Sequence, residues 1–298
     1  MVENVKKIWS NKELALFLQH EMKFNKVFFM NKKYFLLPLC GLLLASCSTV
    51  SLTGRKQLNL VSESEMLSAS LSQYQSYMQT AKLSTDAAAT QRVKGIAQRI
   101  AAAAEAYLKA TGQEADLQNY AWEFNLVSDN QLNAFCMPGG KIVVYTGMVA
   151  LAGNGSEGDS ELAAVIGHEV GHAIAKHGQE RASQQMLTNI GGSVLGAITA
   201  GKSNTVQQAV ATAYGMGTQY GALLPFSRKH ELEADYIGIV LATIAGYDAN
   251  AAVNLWKKMQ AASTSSVPQF ASTHPSSDKR ISELQKKIPE VKATYGKR

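Results

Sequence analysis

This sequence of 298 residues predicts a mainly helical α+β fold with a small β-sheet, and three observations carry that reading. Residues 62–110 are rich in Ala, Ser, Gln and Leu and read as helical, ending near Thr111-Gly112. YAWEFNLV at 120–127 sets Trp122, Phe124 and Leu126 against polar neighbours, the period-two alternation of a strand. A β-branched run, Ile142–Val144, follows the Pro138-Gly139-Gly140 turn and marks a second strand. At 46% hydrophobic and 17% charged, the chain suits one globular domain with a sizeable core.

The N-terminus reads as a leader. From Met30 the chain runs MNKKYFLLPLCGLLLASCSTV: Lys32 and Lys33, an apolar run from Tyr34 to Ala45, small residues, then Cys47. That is the order of a secretory signal. LLASC resembles a bacterial lipobox, in which the signal is cut before the cysteine and lipid is attached to its sulfur. The signal then spans 30–46, and residues 1–29 stand as a misassigned extension. The alternative is an uncleaved anchor, but the apolar core falls short of the roughly 20 residues that span a bilayer. Resemblance to bacterial lipoproteins implies sorting as well: Ser48, where a retained protein shows Asp, points to the outer membrane with the domain facing the periplasm. Cys40 leaves with the signal and Cys47 carries the lipid, so Cys136 is the single remaining thiol and no intrachain disulfide forms.

Residues 47–61 read as a lipidated tether and 62–298 as the domain. SDNQLNAF turns the chain between the two strands. After the loop AGNGSEGDS a helix is predicted from about Ser160 to His177, with Asp159 or Ser160 as its cap. Small residues recur through 186–224, which reads as two closely packed helices turning near Gly201–Asn204; Lys202 argues against a membrane span. Helices follow at about 228–245 and 249–262, then a loop, then a short charged helix at 278–287. Net charge adds one exclusion. Residues 1–46 hold seven lysines and three glutamates, so the remainder carries only 22 basic against 20 acidic residues and shows no nucleic-acid-binding stripe.

Chemistry concentrates in VIGHEVGHAIAKHG at 165–178, which holds three of the six histidines. His168-Glu169-Val170-Gly171-His172 is an H-E-x-x-H pattern. Residues i and i+4 share a helix face, so both imidazoles can reach one zinc. Glu169 sits beside the metal, where a carboxylate can take a proton from bound water and pass it to a leaving amine. A zinc that keeps a place for water needs a third protein ligand. SRKHELEADYIG at 227–238 offers Glu231, with Asp235 one turn on to hold the free nitrogen of a ligand histidine. Read alone, that acidic run is a solvated helix face first and a ligand source second. His177 is placed well round the helix from His168 and His172 and reads as a charge partner of the helix C-terminus. His230 faces elsewhere, and His274, in a loop before a helix, could reach the site but reads on its residues alone as a plain helix-entry turn.

Four ordered stretches carry a resemblance: NAFCMPGGKIVVYTGM at 133–148, ELAAVIGHEVGHAIAKHGQER at 161–181, SRKHELEADYIG at 227–238 and THPSSDKRI at 273–281. They are similar to the zinc metallopeptidases that include the CAAX prenyl protease, HtpX, Oma and BepA, and most to the small LoiP-like lipoprotein members. The resemblance implies one Zn2+ per chain on His168, His172 and Glu231, Glu169 as general base, and Asp235 orienting a ligand histidine. It implies that the strand after Pro138-Gly139-Gly140, with Asn133, Gly139 and Gly140, borders the cleft and receives an extended peptide, an edge strand lying against the active-site helix. Arg228 and His274 match positions near the site, and His274 is a candidate cap on a resting metal.

The expected function is therefore a zinc-dependent endopeptidase of the bacterial envelope, acting on misfolded or assembling outer-membrane proteins. It would be held to the membrane through Cys47, with envelope assembly machinery as a further partner and no nucleic acid. The alternatives are an outer-membrane protein assembly factor with chaperone-like binding and an autoinhibited zinc site, and a purely structural zinc domain.

Overall fold

A computed structural model describes residues 47–50, 53–192, 227–262, 274 and 278–296, and over them the fold is α+β, mainly helical with a small sheet. The leader and residues 193–226, where most of the predicted helical pair falls, lie outside the described residues. Among the described residues no helix is long and apolar enough to cross a membrane.

A two-stranded ribbon comes first, β1 (Cys47–Thr49) and β2 (Lys56–Leu58). In the segment read as a tether, Gln57 is buried, Val61 is fully buried, and Arg55 makes ion pairs with Glu180 and Glu233. The predicted helical stretch 62–110 is two helices. Ser62 opens α1 (Glu63–Thr80) with a capping box to Glu65, and Asp86 opens α2 (Ala87–Ala110) by accepting from the Ala89 N–H at 2.9 Å. Between them Leu83 bridges to Val127 and the Ser84 N–H donates to the Leu126 carbonyl, so the break is anchored by the sheet.

The three-stranded sheet has the order β3-β5-β4, from β3 (Glu123–Val127), β4 (Ala134–Met137) and β5 (Lys141–Tyr145). β3 runs parallel to β5, pairing Phe124 with Ile142, while β4 is antiparallel, pairing Cys136 with Ile142. Two expectations change here. SDNQLNAF is not wholly a turn, because its last two residues open β4. And the strand after Pro138-Gly139-Gly140 is central: with a neighbour on each side it has no free backbone groups for a peptide. The edge strands are β3, whose outer side meets Leu83 and Ser84, and β4. The glycines serve the turn, at φ +89° for Gly139 and +79° for Gly140, and a Cβ on Gly140 would stand 2.5 Å from the Trp122 ring.

After α3 (Thr146–Ala152) comes α4 (Gly155–Ile174), which begins five residues before the expected start. Neither expected cap operates. Asp159 instead pairs with Arg92 at 2.6 Å, and the Ser160 hydroxyl donates back to the Ser156 carbonyl. The far end also differs: the helix stops at Ile174, Lys176 takes φ +56°, and α5 (His177–Gly192) starts in a new direction. The Lys176 ammonium reaches Glu63 at 2.8 Å and Asp116 at 3.3 Å, which helps hold this strained residue.

α6 (Arg228–Ile244) is capped by Ser227 and packs more extensively on α4 than any other pair of elements meets. Glycine makes that contact close: a Cβ on Gly238 would sit 2.8 Å from the His168 nitrogen, and one on Gly171 3.0 Å from the Ala234 carbonyl. α7 (Ala251–Ala262) and α8 (Asp278–Tyr295) complete the described fold. α8 runs past its predicted end because Ile281, Leu284, Ile288 and Val291 keep a buried stripe, while Pro289 lies on the exposed side. The main core joins α2, the sheet, α4, α6, α7 and α8, with Leu162, Ile166, Val144, Ile237, Leu241 and Trp256 inside it. Burial of such side chains contributes about 1.5–3 kcal/mol each.

Candidate metal centre

Where α4 crosses α6, four side chains converge. One donor atom from each of His168, His172, Glu231 and His274 lies within 4.8 Å of all the others, and all four residues are buried. His168 Nε2 stands 3.1 Å from His172 Nε2 and 3.3 Å from His274 Nδ1. Glu231 Oε1 lies 3.4 Å from His172 Nε2 and 3.0 Å from His274 Nδ1. Donors at about 2.0–2.1 Å around one tetrahedral zinc stand roughly 3.4 Å apart, so this set fits a small cation. The spacing has a local origin. His168 and His172 are one turn apart on α4, and the Gly171 and Gly238 contacts bring Glu231 of α6 in beside them.

The outer nitrogens are held as well. Asp235 Oδ1 lies 3.0 Å from His168 Nδ1, the arrangement expected of Glu231 and Asp235 one turn apart. Burial opposes charge on both carboxylates, yet both titrate below their usual range. Arg280 beside Asp235, and His274 with Arg280 beside Glu231, stabilise their anions. Burial pushes the His172 ring well below the ordinary histidine value, so it stays neutral and its nitrogen lone pair is available.

Glu169 lies on the same face of the cluster as the sheet. The backbone of Cys136, on edge strand β4, faces its carboxylate and favours its ionised form. Oε1 has no hydrogen-bond partner and lies 3.6 Å from His274 Nε2, an orphaned buried oxygen turned towards the donors. Burial, opposed by His274 and aided by Glu231, pushes its carboxyl up to about 7.

Other expectations fare differently. His177 does not point away: because the helix breaks before it, its Nδ1 lies 2.9 Å from His172 Nδ1 and its Nε2 2.9 Å from Glu233. The azimuth argued from one continuous helix does not apply. His230 does face away from the donors; it stacks on His177 at 4.4 Å and bonds Glu180 at 3.0 Å. His274, plausible as a plain turn, joins the cluster. Arg228 lies exposed in the first turn of α6, outside the cluster. Asn133 lies just before β4, its carbonyl accepting from the Tyr145 N–H at 3.1 Å. Gly139 and Gly140 lie in the turn after β4. Cys136 is buried, and burial raises its thiol well above the usual range.

Arg280 was missed by the residue-by-residue reading, although it lies inside THPSSDKRI. It is buried, bonds both oxygens of Asp235 at 2.6 and 2.7 Å, pairs with Glu231 at 2.6 Å and lies 3.9 Å over the Trp256 ring. A lone arginine in a charged helix gives no local signal of such burial.

Comparison with known proteins gives the family. The model of peptidase family M48 matches residues 87–288. The chain is 38% identical over 183 residues to the mitochondrial metalloendopeptidase OMA1 of Schizosaccharomyces pombe, covering 59% of this chain and 49% of that protein. It is 38% identical over 172 residues to the OMA1 of Arabidopsis thaliana, covering 58% and 33%. To the beta-barrel assembly-enhancing protease of Yersinia pestis it is 32% identical over 179 residues, covering 57% and 35%. The chain thus spans half or less of the length of these relatives.

Proposed function

Because the chain belongs to peptidase family M48, we propose that it is a zinc metalloendopeptidase with His168, His172 and Glu231 as ligands and Glu169 as general base. The observation that supports this best is the placement of the Glu169 carboxylate. It stands beside the converged donors, 3.6 Å from His274 Nε2, with one buried oxygen unsatisfied. The mixed nitrogen and oxygen donors suit zinc. When bound, that ion would acidify a water and polarise a peptide carbonyl. Glu169 takes the proton and returns it to the leaving amine. Asp235 holds Nδ1 of His168 and so directs Nε2 to the metal. Among the described residues β4 pairs on one side only, and its other side is where an extended peptide adds as a strand, past Glu169. His274, the fourth donor, occupies in the resting enzyme the place that water needs.

Residues 1–46 are read as a leader, with lipid on Cys47 and the domain in the periplasm. The lipobox, Ser48 and the similarity to beta-barrel assembly-enhancing proteases support that placement. Substrates are then misfolded or assembling outer-membrane proteins. The assembly-factor alternative draws on His274 and on the small-residue stretch 186–224, most of which lies outside the described residues.

Zinc analysis together with casein cleavage tests the reading. Glu169→Gln should keep one zinc per chain and lose about 10²- to 10⁴-fold in cleavage rate. Cleavage by Glu169→Gln at the wild-type rate would sink the mechanism.

A further inference from the structure

We propose that Arg55 is a positioning residue for the metal centre, acting through Glu233 and His177 on the ring of His172. The inference rests on reading His172 as a metal ligand. Arg55 lies upstream of residues 87–288, the part that matches the family, in the segment that the sequence alone makes a tether.

Hydrogen-bond geometry sets the order of protons. For His172 to present Nε2 to a cation, its Nδ1 must carry the proton. At 2.9 Å that proton is donated to Nδ1 of His177. The proton of His177 then sits on Nε2 and is donated to Glu233 Oε2, also at 2.9 Å. The far end of this chain has to be a carboxylate fixed in place, and residues from the ribbon fix it. The Arg55 Nε–H donates to Glu233 Oε2 at 2.5 Å, and the Thr53 hydroxyl donates to Oε1.

Arg55 also controls the face of the His177 ring. Its Nη1 pairs with Glu180 at 2.5 Å; Glu180 bonds His230 at 3.0 Å; and the His230 ring stacks on His177 with 19° between the planes. One guanidinium therefore ties both carboxylates that orient the stacked pair. A lysine ammonium lacks the planar fork that serves two carboxylates at once. Nothing in the proposed hydrolysis uses Glu180, His230 or Glu233, so their burial beside the site has no other account.

The test uses the full chain, with zinc affinity read by chelator competition and the cobalt-loaded protein read by its visible spectrum. Arg55→Ala should bind zinc about 10- to 100-fold more weakly, as loss of an outer partner of a ligand histidine does. It should also shift the cobalt spectrum while the far-ultraviolet circular dichroism stays native. Arg55→Lys should fall between Arg55→Ala and wild type. Arg92→Ala, which breaks the surface pair to Asp159, is the control and should leave both readings unchanged. Zinc affinity in Arg55→Ala no weaker than in Arg92→Ala overturns the proposal. If Arg55→Ala does not fold, Thr53→Val carries the test, and wild-type affinity and spectrum there overturn it too. A wild-type chain that binds zinc but cleaves no casein, with the same order of affinities among the variants, refutes the peptidase reading and upholds this one.

Discussion

Arg280 clasps Asp235 at both carboxylate oxygens, 2.6 and 2.7 Å away, and Asp235 holds Nδ1 of His168 at 3.0 Å. A helix from the end of the described chain thus orients a donor on the central helix. Arg280→Ala leaves the buried Asp235 without its charged partner, held by the His168 ring alone. Loss of one partner of a buried pair costs about 3–5 kcal/mol, and metal affinity should fall about 10- to 100-fold. Urea unfolding of the chelated protein reads the first, and zinc competition the second. A loss under 1 kcal/mol would show the pair to be ornamental.

Closing the site also depends on two backbones meeting. A Cβ on Gly238 would stand 2.8 Å from the backbone nitrogen of His168, which cannot swing aside as a side chain can. Gly238→Ala should destabilise the fold by about 1–3 kcal/mol and weaken zinc binding, because the displaced residue is a donor. Gly95→Ala, at a position with open space around it, serves as the comparison and should be neutral or better in urea.

His274 stands 3.0 Å from Glu231 and 3.6 Å from Glu169. If it closes the resting site, His274→Ala should cleave casein faster than wild type. An unchanged rate would argue for an open site.

Acid should loosen the network behind His172. Burial opposes ionisation of Glu180, but His230 and Arg55 hold its carboxyl below the usual 4.5. A depressed carboxylate adds stability that is present above its unfolded value and lost as pH falls through the folded one. The melting temperature of the metal-free protein should therefore drop below about pH 4.5, and drop less in Glu180→Gln. Parallel curves for the two proteins would remove Glu180 from the account.

Cys136 is 3% exposed and its thiol is held protonated by burial. Peptide mapping after iodoacetamide should find it unmodified in the folded protein and modified in urea.

Legibility followed range. H-E-x-x-H and HELEAD set their side chains one turn apart by helical spacing, and the structure brings His168, His172 and Glu231 to one point with Asp235 behind His168. Helix periodicity also located α6 and α7 to within a few residues. What failed was anything decided between elements. Lys176 breaks the helix by a left-handed turn that its residue type does not announce, and His177 moved from outcast to neighbour of His172 with it. Strand alternation says nothing of sheet order, so the central strand was taken for the edge. Arg55 and Arg280 are single charges whose partners lie 178 and 45 residues away, and no local pattern marks them.

That scatter along the chain has a consequence for the order of events during synthesis. Arg280 meets His168 across 112 residues, and Arg55 meets Glu233 across 178. Contacts of such separation form late, after the intervening chain has been closed into a loop. A nascent chain that has emerged only as far as α4 already carries H-E-x-x-H, but it has neither Glu231 nor the clasp on Asp235. The cutting centre comes into being only once nearly the whole described chain is made, so the growing polypeptide and the machinery that handles it meet an unarmed protein.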